Sequence, residues 1–247
     1  MENDGLRIQV YLARQGLGSR RKIEEWIRHG YIHVNSKPAK LGQKINPAKD
    51  QIKIRGKEVS KVAKQKAVVI ALHKPRGVVS TAKDPEGRKT VLDLVPKTAR
   101  VYPVGRLDIN SEGLLIMTND GELALRLTHP RYEIPKVYDV KIRGNLDDKK
   151  IAFLKKGVRI DETKVKGAEI LSIRDVTSEG INKYQVQIKV FEGKNHHVRK
   201  MFEAIRCRVI RLKRLSMGPV SLRGVPRGGY RILPPGLVTK IRKEVGL

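Results

Sequence analysis

The stretch "GRLDINSEGLL" (105–115) sets an arginine and an aspartate two residues apart between glycines. A lone carboxylate can act as a nucleophile or as a base, and in either role it must be ionised. Away from water it then needs a cationic partner. Pro103, Gly105, Asn110 and Gly113 mark an irregular loop feeding the apolar run "GLLIMT" (113–118), and "TNDG" turns the chain back. Loops set on rigid strands often present functional side chains. Asp108 taken alone has a plainer reading, because loop aspartates are commonly caps or turn residues. Tyr138 shares one face of an alternating segment with Val140 and Ile142, and alternation alone assigns it to a core. Arg199 in "HHVRKM" is, by pattern, a helix-surface arginine.

The surroundings of Asp108 are strongly basic. The 247 residues hold 53 Lys+Arg against 25 Asp+Glu, a formal charge of +28. Residues 1–65 contribute 15 Lys+Arg and 6 Asp+Glu, so both parts of the chain are basic. Such a balance points to nucleic acid as the partner. The single cysteine, Cys207, excludes an intrachain disulfide and a cysteine-rich zinc site. "AVVIAL" (67–72) is too short to span a bilayer, and "MENDGLR" has no signal-peptide pattern. The expectation is a cytoplasmic protein without membrane association, or one of an organellar stroma or matrix. No Walker-type loop and no Gly-x-Gly-x-x-Gly follows a strand. His196 and His197 are adjacent, the wrong spacing for a zinc pair on one helix face. No cofactor and no metal is expected.

The elements that must position these groups fall into two parts. "LRIQVYLARQ" (6–15) is ambiguous in period and stops at Gly16 and Gly18. "SRRKIEEWIRHG" (19–30) reads as a helix, N-capped by Ser19, with Ile23, Trp26 and Ile27 on one face and Gly30 as its stop. "YIHVN" and "QIKI" read as strands, with a turn at Ser36–Lys37. Arg20, Arg21 and Lys22 occupy that helix's first turn, where cations oppose the helix dipole. A phosphate gathered by these cations and the free N–H groups accounts for them; a solvated face is the plainer alternative. This segment resembles the small RNA-binding module shared with ribosomal protein S-four, in "GLGSRRKIEEWIRHGYIHVN" and "VNSKPAK". The expected division is a small α/β RNA-binding module at 1–60, a linker at 61–67 and a second domain at 68–247.

The second part mixes the two periodicities, which predicts an α+β domain. Strands are expected at 67–72, 113–118, 136–143, 168–176 and 183–191, and helices at 121–128, 147–157, 196–205 and 236–245. "GRLDINSEGLLIMTNDGELALRLTHP" resembles the signature of RNA pseudouridine synthases of the RsuA type, which modify ribosomal RNA. "LHKPRGVVST", "YEIPKVYDVKIRG", "FEGKNHHVRKMFEAI" and "RLKRLSMGPVSL" follow in the family's order, so with the first module the resemblance spans nearly the whole chain. It implies a catalytic domain on a largely antiparallel sheet and the cofactor-free isomerisation of uridine to pseudouridine. It implies Asp108 as the essential carboxylate, acting on a flipped-out uridine. Arg199 is implied as its basic partner and Tyr138 as a ring stacked on the target base. Arg106 either fills the vacated place, grips a phosphate, or pairs with Asp108. Lys74 and Arg76 are expected at RNA phosphates. His196–His197 departs from the Arg-Gln of many relatives, which bears on RNA contacts. The spelling favours large-subunit (23S) over small-subunit (16S) RNA, free or in assembly intermediates, and a monomer is expected. A non-catalytic rRNA assembly factor is the alternative, and a glycoside-hydrolase chemistry would want a second opposed carboxylate.

Overall fold

The structure is a computed structural model and describes residues 5–59, 66–82, 84–97, 100–194 and 196–247. The chain divides into two compact units, Met1–Lys66 and Ala67–Leu247. Residues 61–65 of the linker expected at 61–67 lie outside the described residues.

In the first unit the ambiguous opening segment is a helix, Ile8–Arg14, followed by the helix Arg20–Arg28. Ser19 caps the second: its side chain accepts from the Lys22 backbone N–H at 3.1 Å. Ile8, Leu12, Ile23 and Ile27 from the two helices meet Ile32, Val34, Ile45 and Ile52 in one core. A four-stranded sheet in the order Lys37–Pro38, Ile32–Val34, Ile52–Ile54, Lys57–Glu58 supplies Ile32, Val34 and Ile52, and Ile45 comes from a two-stranded pairing of Lys44–Ile45 with Leu6–Arg7. Its first hairpin turns at Asn35–Ser36, one residue earlier than expected. Both have positive φ, at 49° and 67°, as a two-residue hairpin turn of right-handed strands requires.

The second unit is built on a nine-stranded, mostly antiparallel sheet. Its path runs Glu169–Asp175, Lys183–Val190, Lys136–Arg143, Arg208–Met217, Glu112–Thr118, Val69–Lys74, Tyr230–Ile232. Two short strands flank the path, Tyr102–Val104 beside Glu112–Thr118 and Val220–Ser221 beside Arg208–Met217. Val69–Lys74 and Glu112–Thr118 are buried at every position. Helices on both faces explain this. Ile70, Leu72, Leu115 and Met117 join Leu154, Val198, Met201 and Phe202 in one core. Their neighbours Val69, Ala71, Leu114 and Ile116 join Leu123, Leu127, Val238 and Ile241 in another. Strands covered on both sides read as unbroken apolar runs, as "AVVIAL" and "GLLIMT" do.

The four expected helices are present as Gly121–Thr128, Asp148–Lys156, His197–Ala204 and Pro235–Glu244. Asp120 and Asp147 cap the first two, accepting from backbone N–H groups of the opening turn. The ten-residue strand Arg208–Met217, in the middle of the sheet, was not among the expected strands. "RVIRLKRLSM" hides its alternation under cations that a sheet interior would not ordinarily accept.

Candidate active site

The loop bearing Asp108 lies between two strands that pair with each other, Tyr102–Val104 and Glu112–Thr118. Its start turns at Gly105, with φ of 71°. Its end is fixed by Gly113, where Glu112 and Gly113 pair in parallel with Lys213 and Arg214. A Cβ on Gly113 would sit 2.3 Å from the Arg214 carbonyl oxygen and 2.5 Å from its nitrogen, and φ there is 113°. Only glycine lets the two strands approach this closely.

Three sets of bonds hold the loop. The Ser80 hydroxyl donates to the Leu107 carbonyl at 2.7 Å and accepts from the Leu107 N–H at 3.1 Å. The Gly77 N–H donates to the Ile109 carbonyl at 2.9 Å. The Lys74 ammonium donates to the carbonyls of Pro75 (3.1 Å), Asp108 (3.0 Å) and Ser111 (2.9 Å). All three protons of a lysine are thereby committed. Lys74 is fully buried, and burial pulls its pKa down to about 8, against the opposing pull of the Asp108 and Glu112 charges. The expectation that Lys74 meets RNA phosphates is therefore corrected: its ammonium points into the protein and fixes the loop's backbone.

Arg199 also departs from expectation. Its Nη2 donates to the Asn110 carbonyl and to the Ser111 hydroxyl, each at 3.2 Å. No ion pair joins it to the Asp108 carboxylate among the described residues. It braces the loop, while the Asp108 charge helps keep it protonated against a burial that lowers its pKa. The Asp108 carboxylate instead faces His196, with Nε2 to Oδ1 at 3.4 Å. His196 opens the helix His197–Ala204 in a left-handed conformation, φ 52°.

Asp108 and Tyr138 line one cleft of about 420 Å³, together with Arg106, Lys136, Glu192 and Arg214. Tyr138 is 7% exposed and belongs to the core as well as to the cleft wall. It pairs across the sheet with Ile188 on one side and Arg214 on the other, next to a bulge between Val137 and Tyr138. Arg106 is exposed on the cleft's edge and forms no ion pair with Asp108, which removes the structural-pair reading of it. Arg76 is exposed and donates to the Ile210 carbonyl at 3.1 Å. Arg20, Arg21 and Lys22 belong to the other unit and are exposed; the Lys22 ammonium lies 5.4 Å from the Trp26 ring centre.

Several cleft residues were not singled out from sequence. Lys136 stands two positions before Tyr138 on the same strand face, a signal that period-two alternation carried. It is buried, its ammonium donates to the Ile134 carbonyl at 2.9 Å, and burial with the nearby Arg214 charge lowers its pKa to about 8. Arg214 sits opposite Tyr138 on the strand that escaped notice, so no local signal marked it. Glu112, beside the loop, is buried and bonded by Arg211 Nε at 2.8 Å. Burial raises its pKa, but Arg211, Arg227 and Arg76 outweigh that and leave it lowered. Among the described residues no three His, Cys, Asp or Glu side chains stand close enough to hold a metal ion. None of the helices described is long and apolar enough to cross a membrane.

Comparison with known proteins agrees with this geometry. A family model described as RNA pseudouridylate synthase matches residues 68–204, and an S4 domain model matches residues 6–52. The chain is 41% identical over 242 residues to ribosomal large subunit pseudouridine synthase B of Bacillus subtilis, covering 96% of this chain and 95% of that one. It is 40% identical over 247 residues to the protein of the same name from Escherichia coli strain K12, covering 98% and 84%. A crystal structure of a pseudouridylate synthase superposes with a TM-score of 0.65 at 24% identity, covering 96% of this chain and 99% of that one, which speaks for the fold. The chain belongs to the RNA pseudouridylate synthase family and carries an S4 domain ahead of the synthase fold.

Proposed function

We propose that this protein converts a uridine of large-subunit ribosomal RNA to pseudouridine, with Asp108 as the essential carboxylate. The observation that carries the reading is that Asp108 and Tyr138 line one cleft while Asp108's loop is bonded at Leu107, Asp108, Ile109, Asn110 and Ser111. In the reaction the bond from ribose C1′ to uracil N1 breaks, the base turns, and C1′ bonds to C5. The C5 proton leaves and N1 gains one, so nothing else is consumed. Asp108 acts either by attacking C1′ or by removing a ribose proton, and both routes use the ionised carboxylate. A backbone fixed before the substrate arrives keeps that carboxylate from losing rate to misplacement.

Tyr138 is the platform on which the uracil ring stacks. Arg106 takes the space the flipped nucleotide leaves or the adjoining phosphate. Arg199 serves by bracing the loop. Arg20, Arg21 and Lys22 are the phosphate contacts of the N-terminal module, and Arg76 is one of the synthase domain. Residues 1–60 deliver RNA, 68–247 carry out the reaction, and the protein works as a cytoplasmic monomer. The names of the curated relatives support the large subunit over the small. The test is tritium release from ribosomal RNA labelled at uridine C5, with RNA of each subunit and with partly assembled particles. Release from large-subunit RNA is expected. Release only from small-subunit RNA would reassign the substrate, and tight binding without release from any RNA would point to an assembly factor.

A further inference from the structure

Burying a polar atom without a partner costs about 1–3 kcal/mol, more for a charge, so such atoms are scarce. Among the described residues five side-chain atoms are in that state, and three sit on residues that line the Asp108 cleft: Glu192 Oε2, His197 Nδ1 and Arg214 Nη2. His197 is 5% exposed and Arg214 3%. Each residue's other polar group, where bonded, is fixed by the protein. Arg214 Nε donates to the Leu114 carbonyl at 2.7 Å. Glu192 Oε1 accepts from the Lys166 N–H at 3.4 Å. One oxygen of the carboxylate and one nitrogen of the guanidinium, both closed to solvent, are thus without a partner on residues of the cleft wall.

Their chemistry says what partner would suit them. A carboxylate oxygen only accepts and a guanidinium only donates. A uracil ring presents an N–H at N3 between two carbonyls, acceptor–donor–acceptor. Cytosine presents an acceptor at N3 and an amino donor at C4. Arg214 suits a uracil carbonyl and Glu192 suits the N3–H, while Glu192 facing cytosine N3 would set two acceptors together. We infer that Glu192 and Arg214 read the pairing edge of the flipped base, Glu192 at N3–H and Arg214 at a carbonyl, and so select uridine over cytidine. His197 Nδ1, in its N–H tautomer, is available to the second carbonyl. A phosphate suits this set less well, because Glu192 would repel it. The inference rests on the uridine-isomerising reading of the same cleft.

The experiment compares a large-subunit RNA fragment bearing the target uridine with the same fragment bearing 3-methyluridine there. Products are read by nucleoside chromatography. Wild-type enzyme should lose about tenfold to a hundredfold in kcat/KM on the methylated base, which has no N3–H to donate. Glu192→Ala should lose a similar factor on uridine and then show no further loss on 3-methyluridine. Glu192→Gln, which keeps an acceptor oxygen, should recover most of the uridine rate and of the methyl penalty. Glu192 is only partly buried, in the irregular segment after the strand Lys183–Val190, so these variants should fold, with thermal midpoints as the check. A full methyl penalty in Glu192→Ala, or none in wild type, would overturn the inference while the reaction stands. Wild type inactive on the unmodified fragment would overturn the functional reading, and this inference with it.

Discussion

Replacing Lys74 by Met should harm the enzyme mainly through a carboxylate that Lys74 never touches. Two stability terms oppose each other. Truncation strands the carbonyls of Pro75 and Ser111, at about 1–3 kcal/mol each, while the Asp108 carbonyl keeps the Ser111 N–H at 3.0 Å. It also removes a buried ammonium whose pKa has fallen from 10.5 to about 8, equivalent to about 3 kcal/mol of disfavoured charging. The net is a destabilisation centred on only about 1 kcal/mol, measurable by urea unfolding at neutral pH. The rate is the sharper readout. A loop released at Asp108 and Ser111 can shift the carboxylate by about 1 Å, enough for a loss of roughly 10²-fold in kcat with KM little changed. Titration gives a second signature. Between about pH 8 and 10.5 the unfolded chain holds the Lys74 proton that the folded protein has released. Wild type should therefore gain stability over Lys74→Met as pH rises through that window. Its kcat should fall over the same rise, because a neutral amine has two N–H groups for three carbonyls. A Lys74→Met enzyme with wild-type kcat would refute the idea that this ammonium holds the catalytic loop.

Gly113→Ala should destabilise by more than about 3 kcal/mol, since its Cβ meets Arg214 backbone at 2.3 Å, whereas Gly77→Ala, with open space around it, should cost only about 1–2 kcal/mol by denaturant unfolding. Arg199→Ala frees Asn110 and Ser111 and should lower kcat roughly tenfold to a hundredfold with a nearly unchanged melting temperature; a change confined to KM would assign Arg199 to RNA binding instead. Replacing Arg20 and Arg21 by Ala should weaken RNA binding and flatten its salt dependence by about 0.7–0.9 per lost contact. The same change should leave the melting temperature equal or higher, because those cations oppose the dipole of their own helix.

Much of this was legible in the residues. Apolar runs marked the two buried strands, and Ser19 marked the start of its helix. Tyr138 lay on the expected strand. The Arg208–Met217 strand was hidden because its cations are satisfied by partners about a hundred residues away: Arg211 by Glu112, Arg214 by the Leu114 carbonyl. Composition along one segment carries no trace of such pairing. For the same reason Lys74 read as an RNA contact. A basic residue in a basic protein looks alike in sequence whether it meets a phosphate or a backbone carbonyl, and only the closed loop around Asp108 separates the two.

The most direct test of the account is Asp108→Asn, a nearly isosteric change that removes the ionisable group and leaves the loop's backbone bonds in place. Tritium release from C5-labelled large-subunit RNA should vanish, while RNA affinity and unfolding midpoint stay close to wild type. Release at a rate comparable to wild type would contradict the claim that this carboxylate performs the reaction.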